Sequence, residues 1–318
     1  MTRGREMPEG DEGGPGRVWR PGPPLSSLPT RPSWTLPGGP VSLERPVVMG
    51  IVNLTPDSFS DGGRFRDVDE ALAEAERMVE AGAGLIDVGG ESTRPGADPV
   101  PADEERRRIL PFVERAAEQL PVPVSVDTRK ALVARTALEA GAKIVNDVSG
   151  LGHDHAMGEV IAEAGAGAIL MHMRGEPATM KALAHYDDVP SEVAAELAVA
   201  VERARAAGID EEAIVLDPGI GFAKDASHSY AVLAHLGALL TLGFPVMVGP
   251  SRKSFLGSVI EGAPTQRTVG TVAACVAAYL QGARIFRVHD VEPVIQALAV
   301  VEAIARAGKT GEPVGEGR

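Results

Sequence analysis

Cysteine and aromatic residues are scarce in this chain, and their scarcity limits how the protein can be held together. The sequence has 318 residues and a single cysteine, Cys275, so no disulfide can form within the chain. Phe, Trp and Tyr make up 4% of the residues, so the core must be built from Val, Ile, Leu and Ala. Cys275 lies in an Ala-rich segment without a basic neighbour, which predicts a packed, unreactive thiol in a reducing compartment.

Positive charge and long apolar runs are also lacking. The formal net charge is −13 at pH 7, which argues against nucleic-acid binding because that binding depends on clustered positive charge. No apolar run reaches the roughly 20 residues that a membrane-spanning helix needs. The composition therefore predicts a soluble cytoplasmic protein that binds neither nucleic acid nor membrane.

The first 40 residues differ in composition from the rest of the chain. They are crowded with Gly, Pro, Arg and Glu and show almost no apolar periodicity, which predicts a disordered tail over residues 1–40. They lack the apolar core of a signal peptide, and Glu6, Glu9, Asp11 and Glu12 argue against a transit peptide. A start codon assigned too far upstream is another interpretation of this segment.

From residue 46 onward, short β-branched runs alternate with longer segments of helical period. The predicted strands are nearly continuous apolar runs, as expected for a parallel sheet that is covered on both faces. Several predicted helices are followed by Gly, a common residue just after a helix. The strands are predicted at 47–53, 85–89, 122–127, 143–147, 168–172, 214–217, 246–248 and 284–288, and the helices at 67–82, 102–119, 129–140, 157–164, 190–207, 228–242, 265–281 and 291–307.

This alternation predicts an α/β fold of the (β/α)₈ TIM-barrel type. Strand–helix units repeated eight times in about 260 residues match the count and size of such a barrel. An open, doubly wound sheet is the alternative, and it would also place its ligand at the carboxyl ends of the strands. We predict one barrel domain over residues 41–318, because the sequence shows neither a second domain nor a short repeat other than the βα unit.

Polar side chains lie at the carboxyl end of every predicted strand, the face that carries the active site in TIM barrels. One such residue can simply cap a helix, as Asp127 before Thr128 illustrates, but eight together are hard to explain by capping. Oxygen atoms of Asp127, Asn146 and Asp217 can bind a flat heterocycle that has several N–H donors. Hydroxyls and cations suited to a phosphate or diphosphate occur at Thr93, Arg94, Arg252, Lys253, Arg287 and His289.

The first strand ends at Asn53 and continues into a polar loop, which Pro56 excludes from the sheet. Asn53 offers one neutral oxygen, which suits Mg²⁺, since this ion keeps most of its waters and takes other ligands from substrate phosphates. Residues 57–63 carry two carboxylates and two hydroxyls and end in Gly62 and Gly63, which permit a tight or mobile turn. The simple alternative is a turn whose Asp and Ser side chains bond to their own backbone.

Seven segments of the chain resemble the sequence blocks of the dihydropteroate synthase family, in the family's order and across nearly all of residues 46–300. The resemblance implies a transferase of folate biosynthesis that joins 6-hydroxymethyl-7,8-dihydropterin diphosphate to 4-aminobenzoate and releases pyrophosphate and 7,8-dihydropteroate. It further implies a (β/α)₈ barrel, Mg²⁺ as cofactor and a homodimer. The segments are 50–63, 89–97, 125–128, 146–150, 216–222, 251–255 and 287–290.

The resemblance also implies roles for individual residues. The pterin set is Asp127, Asn146, Asp217 and Lys253, and the diphosphate and Mg²⁺ set is Asn53, Thr93, Arg287 and His289. Arg94, Phe222, Lys224 and Ser254 lie where the family holds 4-aminobenzoate or lines its access path. The first loop, with Phe59 and Asp61, is expected to close over the reacting centre, where Asp61 adds a carboxylate near a developing cation. The residues expected to act in catalysis are Asp61, Lys253, Arg287 and His289.

Two features depart slightly from the family pattern, and two other functions are alternatives. Ala223 stands where Gly is common, and Pro250 precedes the Ser-Arg-Lys block, but neither removes a functional group.

Methyltetrahydrofolate-dependent methyltransferases share a pterin-binding barrel but have no diphosphate to hold. A non-catalytic paralogue is expected to show damage in the first two loops, and none is visible. We also expect His172, at the end of the fifth predicted strand, to line the pterin pocket.

Overall fold

A computed structural model describes residues 31–54, 64–92 and 97–310, and the strands in these ranges form a hairpin and a barrel. The hairpin pairs β1 with β2 in antiparallel fashion, and the barrel strands are joined in the order β8-β7-β6-β5-β4-β3-β10-β9. A parallel bridge between Leu216 and Val246 joins the two outer strands and closes the barrel. The strands are β1 (Ser33–Trp34), β2 (Val41–Ser42), β3 (Val47–Asn53), β4 (Leu85–Gly89), β5 (Val124–Asp127), β6 (Ile144–Asp147), β7 (Gly167–Met171), β8 (Ile214–Asp217), β9 (Met247–Val248) and β10 (Ile285–Val288).

Helices alternate with the barrel strands, so the predicted (β/α)₈ fold is confirmed. The predicted helix at 228–242 is divided in two, because the backbone at His235 (φ −130°, ψ 37°) leaves the helical region. Within the described ranges, no helix is long and apolar enough to cross a membrane. The helices are α1 (Arg64–Glu80), α2 (Ala102–Gln119), α3 (Ala131–Glu139), α4 (Met157–Ala164), α5 (Val189–Ala206), α6 (Ala226–Ala234), α7 (Gly237–Leu240), α8 (Thr268–Leu280) and α9 (Val291–Thr310).

The hairpin covers the amino ends of the barrel strands. The Trp34 side chain is fully buried there, and its Nε1 donates a hydrogen bond to the Ala213 carbonyl at 2.7 Å. Gly167 permits this packing, since a Cβ on that residue would lie 2.3 Å from Leu36 Cδ2. Trp34 forms one apolar cluster with residues from the amino halves of seven strands, namely Met49, Leu85, Ile144, Ile169, Val215, Met247 and Ile285.

The hairpin begins before the tail boundary that we placed at residue 40, because β1 already starts at Ser33. Residues 1–30 of the predicted tail lie outside the described residues. A second and larger apolar cluster lies between the outer face of the sheet and the helices, and it includes Val88 and Phe112. With the amino ends of the strands closed by apolar packing, the carboxyl ends are left to carry the polar site.

Candidate active site

Asp87, Asp127, Asn146 and Arg287 form a buried network in the barrel. Arg287 Nε donates to Asp87 Oδ2 at 2.6 Å, and its Nη2 donates to Asp127 Oδ2 at 2.8 Å. Asn146 Nδ2 donates to the same Asp87 oxygen at 3.1 Å. Parallel register places Asp127 on β5 beside Asn146 on β6. Asp87 on β4 and Arg287 on β10 lie at other levels and join the network through their side chains.

The network retains unused acceptors. Asp87 Oδ1, Asp127 Oδ1 and Ser125 Oγ are buried and have no hydrogen-bond partner within the part of the chain that the structure describes. Buried polar atoms are nearly always paired, so these oxygens are suited to a ligand that brings N–H donors. Burial raises the pKa of Asp127 to about 7, although the Arg287 charge opposes the rise.

Asp217 and Lys253 form the second polar part of the barrel mouth. Asp217 Oδ1 accepts a hydrogen bond from the Gly219 backbone at 2.7 Å, and Lys253 Nζ donates to the Ile220 carbonyl at 2.6 Å. Lys253 Nζ also lies 4.7 Å from the centroid of the Phe222 ring. Burial lowers the pKa of Lys253 to about 8, although the Asp217 charge opposes this. The lysine is thus a cation fixed by the Ile220 carbonyl and the Phe222 ring.

Gly219 allows the loop after β8 to run directly against the end of β7. Its φ of +67° lies in the left-handed region, and a Cβ at this position would come 2.0 Å from the His172 carbonyl oxygen. No other residue fits there without displacing backbone. The close approach fixes where Ile220 and Phe222 meet Lys253.

The ends of β9 and β10 are tied together by two pairs of side chains. The Ser251 hydroxyl lies 2.9 Å from His289 Nδ1 and accepts from the His289 backbone at 3.2 Å. Arg252 Nη2 donates to Asp290 Oδ1 at 2.6 Å. Arg252, which we grouped with the phosphate-binding cations, is therefore engaged by Asp290.

Asn53 ends β3 and is half-buried. Among the described residues, no group of three or more His, Cys, Asp or Glu side chains converges where it could hold a metal ion. One amide oxygen is a sufficient protein contribution only for an ion that arrives with phosphate and water ligands, as Mg²⁺ does. The donor set fits a Mg²⁺ ion shared with a diphosphate and does not fit a metal cage built by the protein alone.

Comparison with known proteins places this site in a family. The pterin binding enzyme family matches residues 49–289. The dihydropteroate synthase of Synechocystis is 47% identical over 264 residues, which cover 83% of this chain and 91% of the relative. The Escherichia coli enzyme of the same name is 46% identical over 270 residues, covering 85% and 95% of the two chains. The chain belongs to the dihydropteroate synthase family.

A solved dihydropteroate synthase supports the same conclusion in three dimensions. The Xanthomonas albilineans enzyme with 4-aminobenzoic acid superimposes with a TM-score of 0.81 at 44% identity, covering 86% of this chain and 98% of that one. The same enzyme in complex with 7,8-dihydropteroate gives a TM-score of 0.78 at 42% identity, covering 86% and 98%. The family barrel is thus shared.

The structure brings together part of the predicted site of a dihydropteroate synthase. Asp127, Asn146 and Arg287 share one network, Asp217 lies beside Lys253, and Phe222 covers Lys253. Ser254 is exposed at the start of a short 3₁₀ helix, Ser254–Ser258. Predictions for Phe59, Asp61, Thr93 and Arg94 lie outside the described residues.

Lys224 and His172 are placed differently from the other predicted residues. Lys224 Nζ is buried and lies 2.7 Å from His172 Nδ1, while His172 Nε2 contacts Glu196 Oε2 at 3.0 Å. Burial lowers the pKa of Lys224 to about 7. These two side chains thus bond to each other, and Lys224 also donates to the carbonyl of Phe222.

Sequence reasoning missed Asp87, the carboxylate that joins Asn146 to Arg287. Its signal was a charged residue inside the otherwise apolar run Leu85–Gly89, where a buried acid needs a partner. Glu196, which holds His172, had no comparable signal, because it lies within α5 among other polar residues.

Proposed function

We propose that this chain is a dihydropteroate synthase, which condenses 6-hydroxymethyl-7,8-dihydropterin diphosphate with 4-aminobenzoate to give 7,8-dihydropteroate and pyrophosphate. The observation that carries the proposal is the set of buried acceptors without partners at Asp87 and Asp127. A dihydropterin is a flat heterocycle that presents several N–H donors along one edge, and it would satisfy these oxygens. The family membership fixes the substrate class that this chemistry fits.

The pterin would be held between two groups of side chains. Asp127, Asn146 and Asp217 accept from or donate to the edge of the ring, and Lys253 offers a cation near Asp217. The electron-rich ring can stabilise positive charge on its methylene carbon as the diphosphate leaves. Acidic residues around it favour that charge.

Departure of the diphosphate carries much of the barrier, because a neutral aryl amine is a modest nucleophile. Arg287 keeps 19% of its side chain exposed while it is fixed by Asp87 and Asp127, so it can meet the leaving group without reorganising. His289 is held by Ser251 at the same end of the barrel. Asn53 would hold Mg²⁺, which supplies charge neutralisation for the diphosphate when bound.

The amine of 4-aminobenzoate then forms the C–N bond to the methylene carbon as the C–O bond breaks. The nitrogen becomes acidic only after it has bonded, so no strong general base is needed, and the departing pyrophosphate can accept the proton. We place 4-aminobenzoate near Phe222, and Asp61 stays a predicted carboxylate of the first loop.

Pyrophosphate release tests this function directly. The enzyme is incubated with both substrates, with each alone, and with both but without Mg²⁺, and release is expected only when all three components are present.

Asn53→Ala is expected to weaken the response to Mg²⁺, and Arg287→Ala to lower turnover. Turnover unchanged in both variants would refute the leaving-group assignment. Absence of release from the wild type would favour a non-catalytic pterin-binding paralogue.

We also propose that the enzyme is a cytoplasmic homodimer, with helices α8 and α9 in the interface. Val269 on α8 is 80% exposed, and Val300 and Ile304 on α9 are 59% and 66% exposed. Val272 and Ala297 line a groove between these helices. Apolar side chains gathered on one face suit burial against a second copy.

A further inference from the structure

Five side chains beside the active site form a polar cluster that the reaction itself does not use. We call it the His172 cluster, and it consists of His172, Arg174, Tyr186, Glu196 and Lys224. The first two follow β7, Tyr186 and Glu196 lie before and within α5, and Lys224 ends the loop after β8. The cluster therefore connects the β7–α5 region to the loop that carries Phe222.

The hydrogen bonds of the cluster assign the tautomer of His172. Glu196 accepts from Arg174 Nε at 2.9 Å, and its bonds with His172 and Arg174 lower its pKa to about 2. An ionised carboxylate can only accept, so the proton of the neutral imidazole lies on Nε2, which faces Glu196. Nδ1 then has a lone pair, and it accepts from Lys224 Nζ at 2.7 Å.

At its other end, the cluster donates two hydrogen bonds to the backbone of the loop that carries Phe222. Lys224 Nζ donates to the Phe222 carbonyl at 3.1 Å, and the Tyr186 hydroxyl donates to the Ala223 carbonyl at 2.9 Å. Between them, Ala223 has a φ of +46°, in the left-handed region that disfavours residues with a Cβ. Such a conformation persists only where its surroundings hold it.

Arg174 stabilises the same arrangement from the outside. Its guanidinium carbon lies 3.9 Å from the centroid of the Tyr186 ring, and it donates to Glu192 Oε2 at 2.8 Å as well as to Glu196. The stacked cation keeps the Tyr186 ring in place while its hydroxyl reaches Ala223. Glu192 has no bond to His172, and Gln at this position keeps an acceptor for the Asp187 and Asp188 backbone while Arg174 keeps its bond to Glu196. Glu192→Gln is therefore a matched control.

We propose that the His172 cluster is a positioning device for 4-aminobenzoate binding: it holds residues 222–224 in a strained conformation so that Phe222 stays over Lys253. Lys224 acts from behind this loop, through the Phe222 carbonyl, and does not contact the substrate. The proposal rests on the proposed function for its kinetic readout, whereas the tautomer of His172 can be measured in the resting enzyme without any turnover.

Kinetics of four variants test the positioning role. Tyr186→Phe and His172→Phe are expected to raise the KM for 4-aminobenzoate about threefold to tenfold, the effect of one lost hydrogen bond, with a smaller change in the KM for dihydropterin diphosphate. His172→Gln should recover part of the loss, because its amide offers one acceptor and one donor. Glu192→Gln should behave as wild type. If Tyr186→Phe and His172→Phe match Glu192→Gln in both KM values, the proposal is wrong.

Nitrogen NMR of ¹⁵N-histidine-labelled enzyme gives the second readout. The wild type should show His172 as the neutral Nε2–H tautomer, and Glu196→Leu should change that signal while Glu192→Gln does not. A Nδ1–H tautomer in the wild type would overturn the proposal even if the enzyme turns over. Conversely, the expected tautomer together with a lack of turnover would refute the proposed function and leave the cluster geometry intact. Tyr186→Phe removes a single oxygen, so it remains informative if His172→Phe fails to fold.

Discussion

Asp87 connects Asn146 to Arg287 in the buried network of the barrel. It is fully buried, and one of its oxygens accepts from both Asn146 and Arg287. Removing one partner of a buried ion pair is costly, because it leaves the other charge buried without full compensation. Asp87 thus aligns Arg287, and Arg287 in turn aligns Asp127.

Asp87→Asn should therefore reduce both activity and stability. The amide keeps the shape and one acceptor but removes the charge that holds Arg287, and a hydrogen bond to a charged group is worth about 1.5–3 kcal/mol. We expect kcat/KM for dihydropterin diphosphate to fall about tenfold or more, measured by initial rates of pyrophosphate release. Asp103→Asn, the same change in an ion pair whose carboxylate side chain is 82% exposed, should leave the rate unchanged.

Asp127 should make pterin binding depend on pH. Burial raises its pKa from 3.8 to about 7, and ring N–H donors bond to the ionised form, so affinity should rise by up to about tenfold per pH unit below 7 and level off above it. Because of this raised pKa, Asp127 in the folded state binds a proton between about pH 4 and 7 that the unfolded chain has already lost. Without ligand, this residue's contribution to folding is fully present below its unfolded pKa of 3.8 and is lost as the pH rises through about 7.

Calorimetric titration of a 6-hydroxymethylpterin ligand between pH 5.5 and 7.5 measures this dependence. In Asp127→Asn, binding should be weak and nearly independent of pH over that range. A wild-type affinity that is flat with pH would show that Asp127 is already ionised in the empty site. Lys224 and Lys253, whose pKa values burial lowers to about 7 and about 8, titrate within or close to this range. Any pH dependence that Asp127→Asn retains is therefore assigned to these lysines, and the difference from the wild type is assigned to Asp127.

Residue identities at strand ends were predictable from the sequence because the barrel rule places them on one face. Asp127 and Asp217 each end a strand, Asn146 is the last residue but one of β6, and periodicity alone located those ends. Asp87 lies two residues before the end of β4, so the same rule did not select it. Partners such as Tyr186 and Glu196 come from outside the strand ends, and only the packed structure brings them to Lys224.

At the scale of elements, the β1–β2 hairpin was the part that sequence reasoning missed. Its strands are two residues each and lie in a segment rich in Pro and Gly, which carries no periodic signal. The barrel strands were found because each is a continuous apolar run, and β3, β4 and β8 have the predicted bounds. The hairpin is held instead by long-range contacts, which include the Trp34 bond to the Ala213 carbonyl and the backbone bond from Thr35 to Glu212.

Trp34→Ala should destabilise the barrel without changing its chemistry. The side chain is fully buried, and removing a buried Trp costs about 3–5 kcal/mol through lost burial and the cavity left behind. Urea unfolding should show this loss, whereas both KM values should stay near wild type because the site lies at the opposite end of the strands. Leu132→Ala, at a position that is 49% exposed, is the control. A loss below about 1 kcal/mol would mean that the hairpin does not seal the barrel.

At the scale of the whole molecule, closure of the sheet separates stability from chemistry. The amino half of the barrel is filled by apolar side chains together with Trp34, and the carboxyl half carries buried acids and cations. Helix α8 joins the active-site face to the molecular surface, because Thr268 Oγ1 donates to Asp290 at 2.9 Å and Thr271 Oγ1 accepts from the Arg252 backbone at 3.2 Å. The next residue after Thr268, Val269, is among the most exposed apolar side chains of the described chain.

The proposed dimer can be tested on that surface. A double substitution, Val269→Glu and Val300→Glu, would place two charges where the second copy is expected to pack, and burying an unpaired charge costs several kcal/mol. Light scattering in solution should give twice the chain mass for the wild type and the mass of one chain for the variant. Leu132→Glu introduces the same charge at an exposed apolar residue of α3 and should remain dimeric. If the wild type has the mass of one chain, the dimer proposal fails. If the double variant stays dimeric at micromolar concentration, the dimer forms through another face. The exposed apolar side chains of α8 and α9 then need a different explanation.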